Sequence, residues 1–373
     1  VYPEGLVIKE SSFFSVAHAL LDRAGKAKTI EADFKRASAR LSKSDPLVKW
    51  FTDKCALDLS AYVLLVLHNF IAEICPGDIP YIEKMRDFLI EKNIDMVIMR
   101  ASTGGDAIPV LLACANLKKC KTVCFKHFCA PVDSRYVQMI ELGFFDYYVT
   151  NDTLGEDYFK IKQLERKEFG ACRVFQSAHY FNLLPKVKPV VRRGNRERVM
   201  FAPTDTLIGI YNINNEFMTG ARYYRFLKSL IAHFVGRSDK LFTFKYVGTG
   251  GWADRSIVPY IKSLGADNIA LENKPLIKCL HAADKVLLDH PGTGFYEALA
   301  AGKPAMSLYE SFMMMDKRSL DHFGKTLEPF SSIEEAIKKI DGFLDAKPEE
   351  YLLDIPVKNI GVMDVLNSIH AAL

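Results

Sequence analysis

Leu288-Asp289-His290-Pro291-Gly292-Thr293-Gly294-Phe295-Tyr296-Glu297-Ala298-Leu299-Ala300-Ala301-Gly302-Lys303-Pro304 decides how this chain folds. The apolar run from Lys285 to Leu288 reads as a buried strand that ends at Asp289. A short Gly/Pro loop follows, a helix opens at Thr293, and Gly302 stands where that helix must stop. Pro304 then starts another apolar run, Ala305 to Leu308. Strand, loop, helix, turn and strand in this order form a unit whose two strands lie parallel.

The same alternation extends outward in both directions. Towards the N-terminus, strands are expected at Asn268–Leu271, Leu241–Val247 and Arg198–Phe201, with helices around Leu276–Ala282, Ile257–Leu264 and Arg222–Phe234. Helices over 332–345 and 362–372 close the chain. Residues 176–197 read as a crossing, with Pro185, Pro189 and the basic run Arg192-Arg193-Gly194-Asn195-Arg196. Before it the pattern occurs a first time, with strands at Asp95–Met99, Lys121–Phe125, Phe145–Val149 and Ala171–Phe175. Helices are expected between them at Ala107–Leu117, Asp133–Leu142 and Leu154–Leu164. The fold class is therefore α/β, as two Rossmann-like, doubly wound domains facing across a cleft. The boundaries fall at 1–180 for the first domain, 181–197 for the linker and 198–373 for the second.

A length of 373 residues suits two domains, and 49% hydrophobic residues supply a core for each. The net charge of +4 is small and its basic residues are scattered, which argues against nucleic acid as a partner. The eight cysteines lie mostly in apolar runs, as reduced thiols of a cytoplasmic protein do, and no leader pattern is visible after Val1. The most apolar stretch, Leu59–Ile74, is too short and too polar to span a membrane. The Cys120, Cys124, His127, Cys129 group lacks zinc-knuckle spacing, so no metal is expected.

In open α/β sheets ligands bind where strands end and loops lead into helices. Asp289, His290, Pro291, Gly292, Thr293 and Gly294 form such a loop, and helix N-terminal N–H groups suit a phosphate. Glu297, one turn into the helix, is placed to accept hydrogen bonds from ribose or sugar hydroxyls. An ordinary strand-to-helix turn capped by Thr293 explains the same residues. Gly248-Thr249-Gly250-Gly251 is a second candidate cradle, flanked by Lys245 and Arg255. Ser102-Thr103-Gly104-Gly105-Asp106 is a small-residue loop ahead of a helix, and Glu10-Ser11-Ser12 occupies the first strand-to-helix turn.

The segment from 288 to 304 resembles the donor-binding motif of nucleotide-sugar transferases of the GT-B fold. It is most similar to the branch of capsule and surface-polysaccharide transferases and CDP-glycerol glycerophosphotransferases. Val199-Met200-Phe201-Ala202-Pro203-Thr204 resembles the strand and Ala-Pro-Thr turn that open their C-terminal domain. Thr122-Val123-Cys124-Phe125-Lys126-His127 resembles their N-domain strand ending in histidine. The chain departs from these families at His127-Phe128, where they carry His-Gly, and at Asp205-Thr206, where the phosphotransferases carry a basic residue. The second departure favours a glycosyl donor over glycerol phosphate.

The resemblance implies a glycosyltransferase that needs no cofactor and no metal, with a nucleotide sugar as donor and a carbohydrate or lipid-linked glycan as acceptor. It implies donor contacts at Thr204, Lys245, Gly248, Thr249, Gly250, Asp289, His290, Pro291, Gly292, Thr293 and Gly294. His127 and Glu297 are the catalytic candidates, His127 as the base for the acceptor hydroxyl. Ser11, Ser12, Thr103, Gly104 and Gly105 fall on the acceptor side. Peripheral attachment to a membrane has local support only from Arg192–Arg198, which a solvated face explains equally. A polyol phosphotransferase, a UDP-N-acetylhexosamine 2-epimerase and a non-catalytic scaffold are the alternatives.

Overall fold

Burial on both faces of the central C-terminal strands sets the architecture. The computed structural model describes residues 82–99, 110, 113, 114, 117, 120–126, 145–165, 172–178, 196–203, 220–246, 257–311, 313 and 315–371. Within it the chain forms two compact units, Val1–Val123 and Cys124–Leu373.

The larger sheet has six strands, β5 (Glu197–Ala202), β6 (Lys240–Lys245), β7 (Ile269–Glu272), β8 (Lys285–Leu288), β9 (Ala305–Glu310) and β10 (Leu327–Phe330). They lie in the order β10-β9-β8-β5-β6-β7, and every neighbouring pair is parallel. Side chains on a strand alternate between faces. Val199, Phe201, Phe242, Phe244, Leu287, Met306 and Leu308 accordingly join one buried cluster, whereas Met200, Val286, Leu288, Ala305 and Tyr309 join another. Helices cover both clusters, so β8 and β9 are buried along their whole length.

The helix α2 (Gly220–Gly236) belongs to the first face. Its buried Tyr223, Phe226, Leu227, Leu230, Ile231 and Phe234 recur at helical spacing and form one apolar stripe. Helix α3 (Ile257–Leu264) and helix α7 (Ile333–Asp345) share that face. Helices α4 (Leu276–Leu280), α5 (Thr293–Ala300) and α6 (Lys317–Phe323) cover the other. Each large aromatic buried in this way contributes about 1.5–3 kcal/mol. Met313 and Met315 are also buried in this second cluster.

The first sheet has four strands, β1 (Met96–Met99), β2 (Lys121–Phe125), β3 (Tyr147–Thr150) and β4 (Arg173–Gln176), in that order. Helix α1 (Thr153–Glu165) joins β3 to its parallel neighbour β4. Residues 82–91 are helical, as the sequence predicts for the 79–92 stretch. The described strands and helices fall within two or three residues of their expected places. Among the described residues α6, β10 and two short 3-10 helices, Gly324–Thr326 and Pro348–Tyr351, are additional.

A strap between the last two helices ties the carboxyl ends of β3 and β4 to the C-terminal sheet. Leu353 and Ile355 pack on its second cluster. The strap then runs to α8 (Val362–His370). On the way Thr153 donates N–H to the Pro356 carbonyl at 2.9 Å, and Ala178 donates to that of Ile360 at 3.0 Å. The Gln176 amide accepts from the Lys358 N–H at 3.1 Å and donates to its carbonyl at 3.3 Å.

At the opposite edge of the large sheet, Lys285 is 1% exposed. Its Nζ donates to the carbonyls of Phe343, Leu344 and Ala346 at 2.8–3.0 Å, which closes the C-terminus of α7. Glu197 lies 3.4 Å from the same ammonium. Burial holds the Lys285 pKa below the ordinary value, with Glu197 acting against that shift. Lys285→Ala strands the three carbonyls and leaves Glu197 with Lys240 alone, 3.1 Å away. The expected cost is about 1–3 kcal/mol, read as a lower urea midpoint at unchanged slope.

Candidate functional site

The order of the six strands locates the site. From β5 the chain moves outward to β6 and β7, then returns to β8 on the other side of β5 and continues to β9 and β10. The helices that follow β5 and β8 therefore lie on opposite faces, and the carboxyl edge beside these two strands is where an open α/β sheet binds its ligand. Ala202 pairs with Leu288 there, so the Ala-Pro turn and the Asp289–Gly292 loop are direct neighbours. Lys245, at the end of β6, lies one step beyond the Phe201↔Phe244 pairing and so flanks the same edge.

The loop itself is tightly built. Gly292 is the N-cap of α5, and its N–H donates to the His290 carbonyl at 2.8 Å. A Cβ on Gly292 would meet the His290 ring at 3.0 Å. Gly294 is closer still to its surroundings, since a Cβ there would meet Leu276 at 2.9 Å and Leu288 at 3.0 Å. The glycine allows α5 to lie directly on β8 and α4. Gly302, with φ +68°, ends the helix region in the conformation that favours glycine. Thr293 is the first helical residue rather than the cap.

Glu297 lies in the middle of α5 and is half-buried. It sits near enough to Lys245 to favour that lysine's charge, together with Cys279 and Glu272, although burial dominates and lowers the Lys245 pKa. Asp289 accepts a hydrogen bond from the Tyr223 hydroxyl, which fixes α2 against the loop. His290 keeps part of its surface open, yet burial of its ring pushes the imidazole down to about 3. It is neutral at physiological pH, so it can shape the loop and share hydrogen bonds but adds no positive charge for a phosphate.

Several expected residues fall outside the described residues: His127, Thr204, Gly248, Thr249, Gly250, Ser11, Ser12, Thr103, Gly104 and Gly105. Two membrane-run residues are described. Arg196 is exposed, whereas Arg198 is partly buried and pairs with Asp284 at 3.4 Å. Among the described residues no helix is long and apolar enough to cross a membrane, and no cluster of ligating side chains could hold a metal ion.

The sequence reading missed a polar group at the ends of β2 and β3. Lys126 is 6% exposed and lies 5.0 Å from the Phe159 ring centroid. Beside it the fully buried Asp152 accepts the Gly155 N–H at 2.6 Å. Burial raises the Asp152 pKa, against the charge of Lys126 and, more weakly, of His322. Neighbouring Glu156 is held below the ordinary range by Lys160 and Lys358 despite its burial. This group lies under the strap and serves its attachment.

No family model matches the chain, and no curated protein matches it. Solved structures do. A UDP-GlcNAc 2-epimerase from Methanocaldococcus jannaschii, in complex with UDP-GlcNAc and UDP, is similar at 12% identity and TM-score 0.51, over 79% of this chain and 81% of that one. A structure from Listeria monocytogenes assigned as a UDP-N-acetylglucosamine 2-epimerase gives 13%, 0.50, 80% and 80%. OtsA without ligand gives 12%, 0.50, 80% and 77%. The chain has a GT-B-type fold. The two parallel sheets and the reversal at β5 are its skeleton.

His290 gives this GT-B chain a specific acid response. The unfolded imidazole takes up a proton below about 6.5, whereas the folded one does so only near 3. Stability therefore falls as pH drops through that window, by up to about 1.4 kcal/mol per pH unit from this group. Urea midpoints between pH 7 and pH 4 should decline less steeply in His290→Gln than in the parent.

Proposed function

We propose that this chain is a glycosyltransferase that moves a sugar from a nucleotide-activated donor to a hydroxyl acceptor in surface-polysaccharide or glycoconjugate synthesis. The observation that carries the reading is the reversal of strand order at β5, with α5 starting directly after the neighbouring β8. The N–H groups at the start of α5 meet the donor's phosphates, and Lys245 lies one strand away to offset their charge. Glu297 accepts from the donor's ribose or sugar hydroxyls. Gly248, Thr249, Gly250 and Thr204 complete the donor side.

In this reaction the acceptor oxygen forms a bond to the anomeric carbon, and the bond from that carbon to the phosphate oxygen breaks. The electron pair leaves with the nucleotide, whose charge the helix N-terminus and the lysine stabilise. His127, one residue after Lys126 at the end of β2, takes the acceptor's proton. Ser11, Ser12, Thr103, Gly104 and Gly105 line the acceptor, and a lipid-linked acceptor would bring the protein to a membrane face. A second reading, epimerisation of a UDP-N-acetylhexosamine, draws support from the nature of the two similar epimerase structures. Transfer needs an acceptor to consume donor, and epimerisation does not.

The test is a thermal-shift screen against UDP, CDP, GDP, ADP and CMP. A true product at about 100 times its Kd stabilises the fold by roughly 2.7 kcal/mol. One of them should raise the Tm of the parent, with the shift lost in Glu297→Ala and in Gly292→Trp. A parent that responds to none of them, with or without oligosaccharide acceptors present, contradicts the transferase and supports a scaffold.

A further inference from the structure

Two sulfurs meet in the first unit, Val1–Val123. Val110, Ala113 and Cys114 are helical, and Cys120 directly precedes β2. The Leu117 N–H donates to the Cys114 carbonyl at 2.8 Å, and the Cys120 N–H donates to the Leu117 carbonyl at 2.9 Å. Two successive turns thus carry the chain from the helix to the strand. The Lys121 N–H donates to the Asp95 carbonyl at 2.8 Å, which fixes the end of this connection to the residue before β1. Held in this way, the Cys120 thiol donates to Cys114 Sγ at 3.6 Å.

Both side chains are sealed from solvent, with Cys114 1% and Cys120 4% exposed. They belong to an apolar cluster with Met85, Leu89, Val110 and Ala113. Packing needs a small apolar side chain at each position. Contact between the two sulfurs adds a chemistry that packing does not need. A disulfide requires the sulfurs at about 2.05 Å. They stand about 1.5 Å further apart than that. The turn hydrogen bonds hold the backbone on either side, so the approach falls to rotation of the side chains.

We propose that Cys114 and Cys120 are a redox-active dithiol, which closes to a disulfide when the protein meets a low-molecular-weight disulfide and so staples the helix end to the start of β2. One cysteine thiolate attacks a sulfur of the oxidant, and the oxidant's other half leaves as a thiolate that takes up the cysteine's proton. The second cysteine, as thiolate, attacks the mixed disulfide. The protein S–S bond forms, and the remaining half of the oxidant departs with the second proton. The protein gives up two electrons and two protons, and the oxidant is reduced to two thiols. Burial makes the first attack wait for local opening of the helix end. The second is intramolecular, so the neighbouring sulfur outcompetes a further oxidant molecule. The proposal is independent of the donor site.

The experiment is incubation of the full chain with oxidised glutathione at mildly alkaline pH, then alkylation, tryptic digestion and mass spectrometry. Trypsin cuts after Arg100, Lys118, Lys119 and Lys121, so the disulfide joins peptide 101–118, whose one cysteine is Cys114, to Cys120-Lys121. The parent should yield this linked pair, released by dithiothreitol. Closing so short a loop should raise the Tm by roughly 2–5 °C. Cys120→Ala should lose both the linked pair and the Tm response, and its Cys114 should carry a single glutathione instead. Cys124→Ala, which removes the next cysteine along β2, should keep both. Circular dichroism before oxidation is the folding control for the variants. A parent whose peptide 101–118 is only alkylated, carries a single glutathione or joins another cysteine overturns the proposal. So does a linked parent whose Tm is unchanged or lower.

Discussion

Everything that makes this molecule a candidate enzyme follows from one constraint, the reversal of chain direction across the sheet at β5. Parallel strands need crossovers, and each crossover lays a helix on one face. Moving outward to β7 and returning to β8 puts α2 and α3 on one face and α4 and α5 on the other. The apolar clusters on both faces hold this arrangement, with α2, α3 and α7 on one side and α4, α5 and α6 on the other. A hydrophobic interior thus leaves a polar edge.

What lines that edge is local chemistry with separate causes. Gly294 lets α5 approach β8 closely. Tyr223 and Arg222 come from the first turn of α2 and connect the ends of β8 and β9. The opposite edge is closed by structural charge. Lys285 caps α7, and Lys303 donates to the Ala283 carbonyl at 2.8 Å. The lysine in the Gly-Lys-Pro turn is therefore a packing residue although it belongs to the stretch that resembles a donor motif.

Much of the fold was legible because burial on both faces leaves short, continuous apolar runs. Lys121–Phe125, Lys285–Leu288 and Ile257–Leu264 are read from the sequence with their structural bounds. The strand β10 was not, since Leu327-Glu328-Pro329-Phe330 contains a proline and an acid and lies at the sheet edge, where such residues are tolerated. The candidate site was legible only where it is continuous in sequence, from Asp289 to Glu297. The pairs Tyr223–Asp289 and Arg222–Glu310 join residues far apart along the chain, and no periodicity or motif signals them. The strap at 353–360 is invisible for a related reason. Its bonds run mainly through backbone carbonyls and N–H groups, which every sequence has.

The central claim is that a nucleotide binds on the carboxyl edge beside β5 and β8. Hydrogen exchange with and without a saturating nucleoside diphosphate tests it most directly, because it reports where backbone N–H groups become protected. The account predicts slower exchange in peptides covering 286–298 and 220–226, with no change along α7 or α8. Unchanged exchange at 286–298 while another part of the chain becomes protected would contradict it.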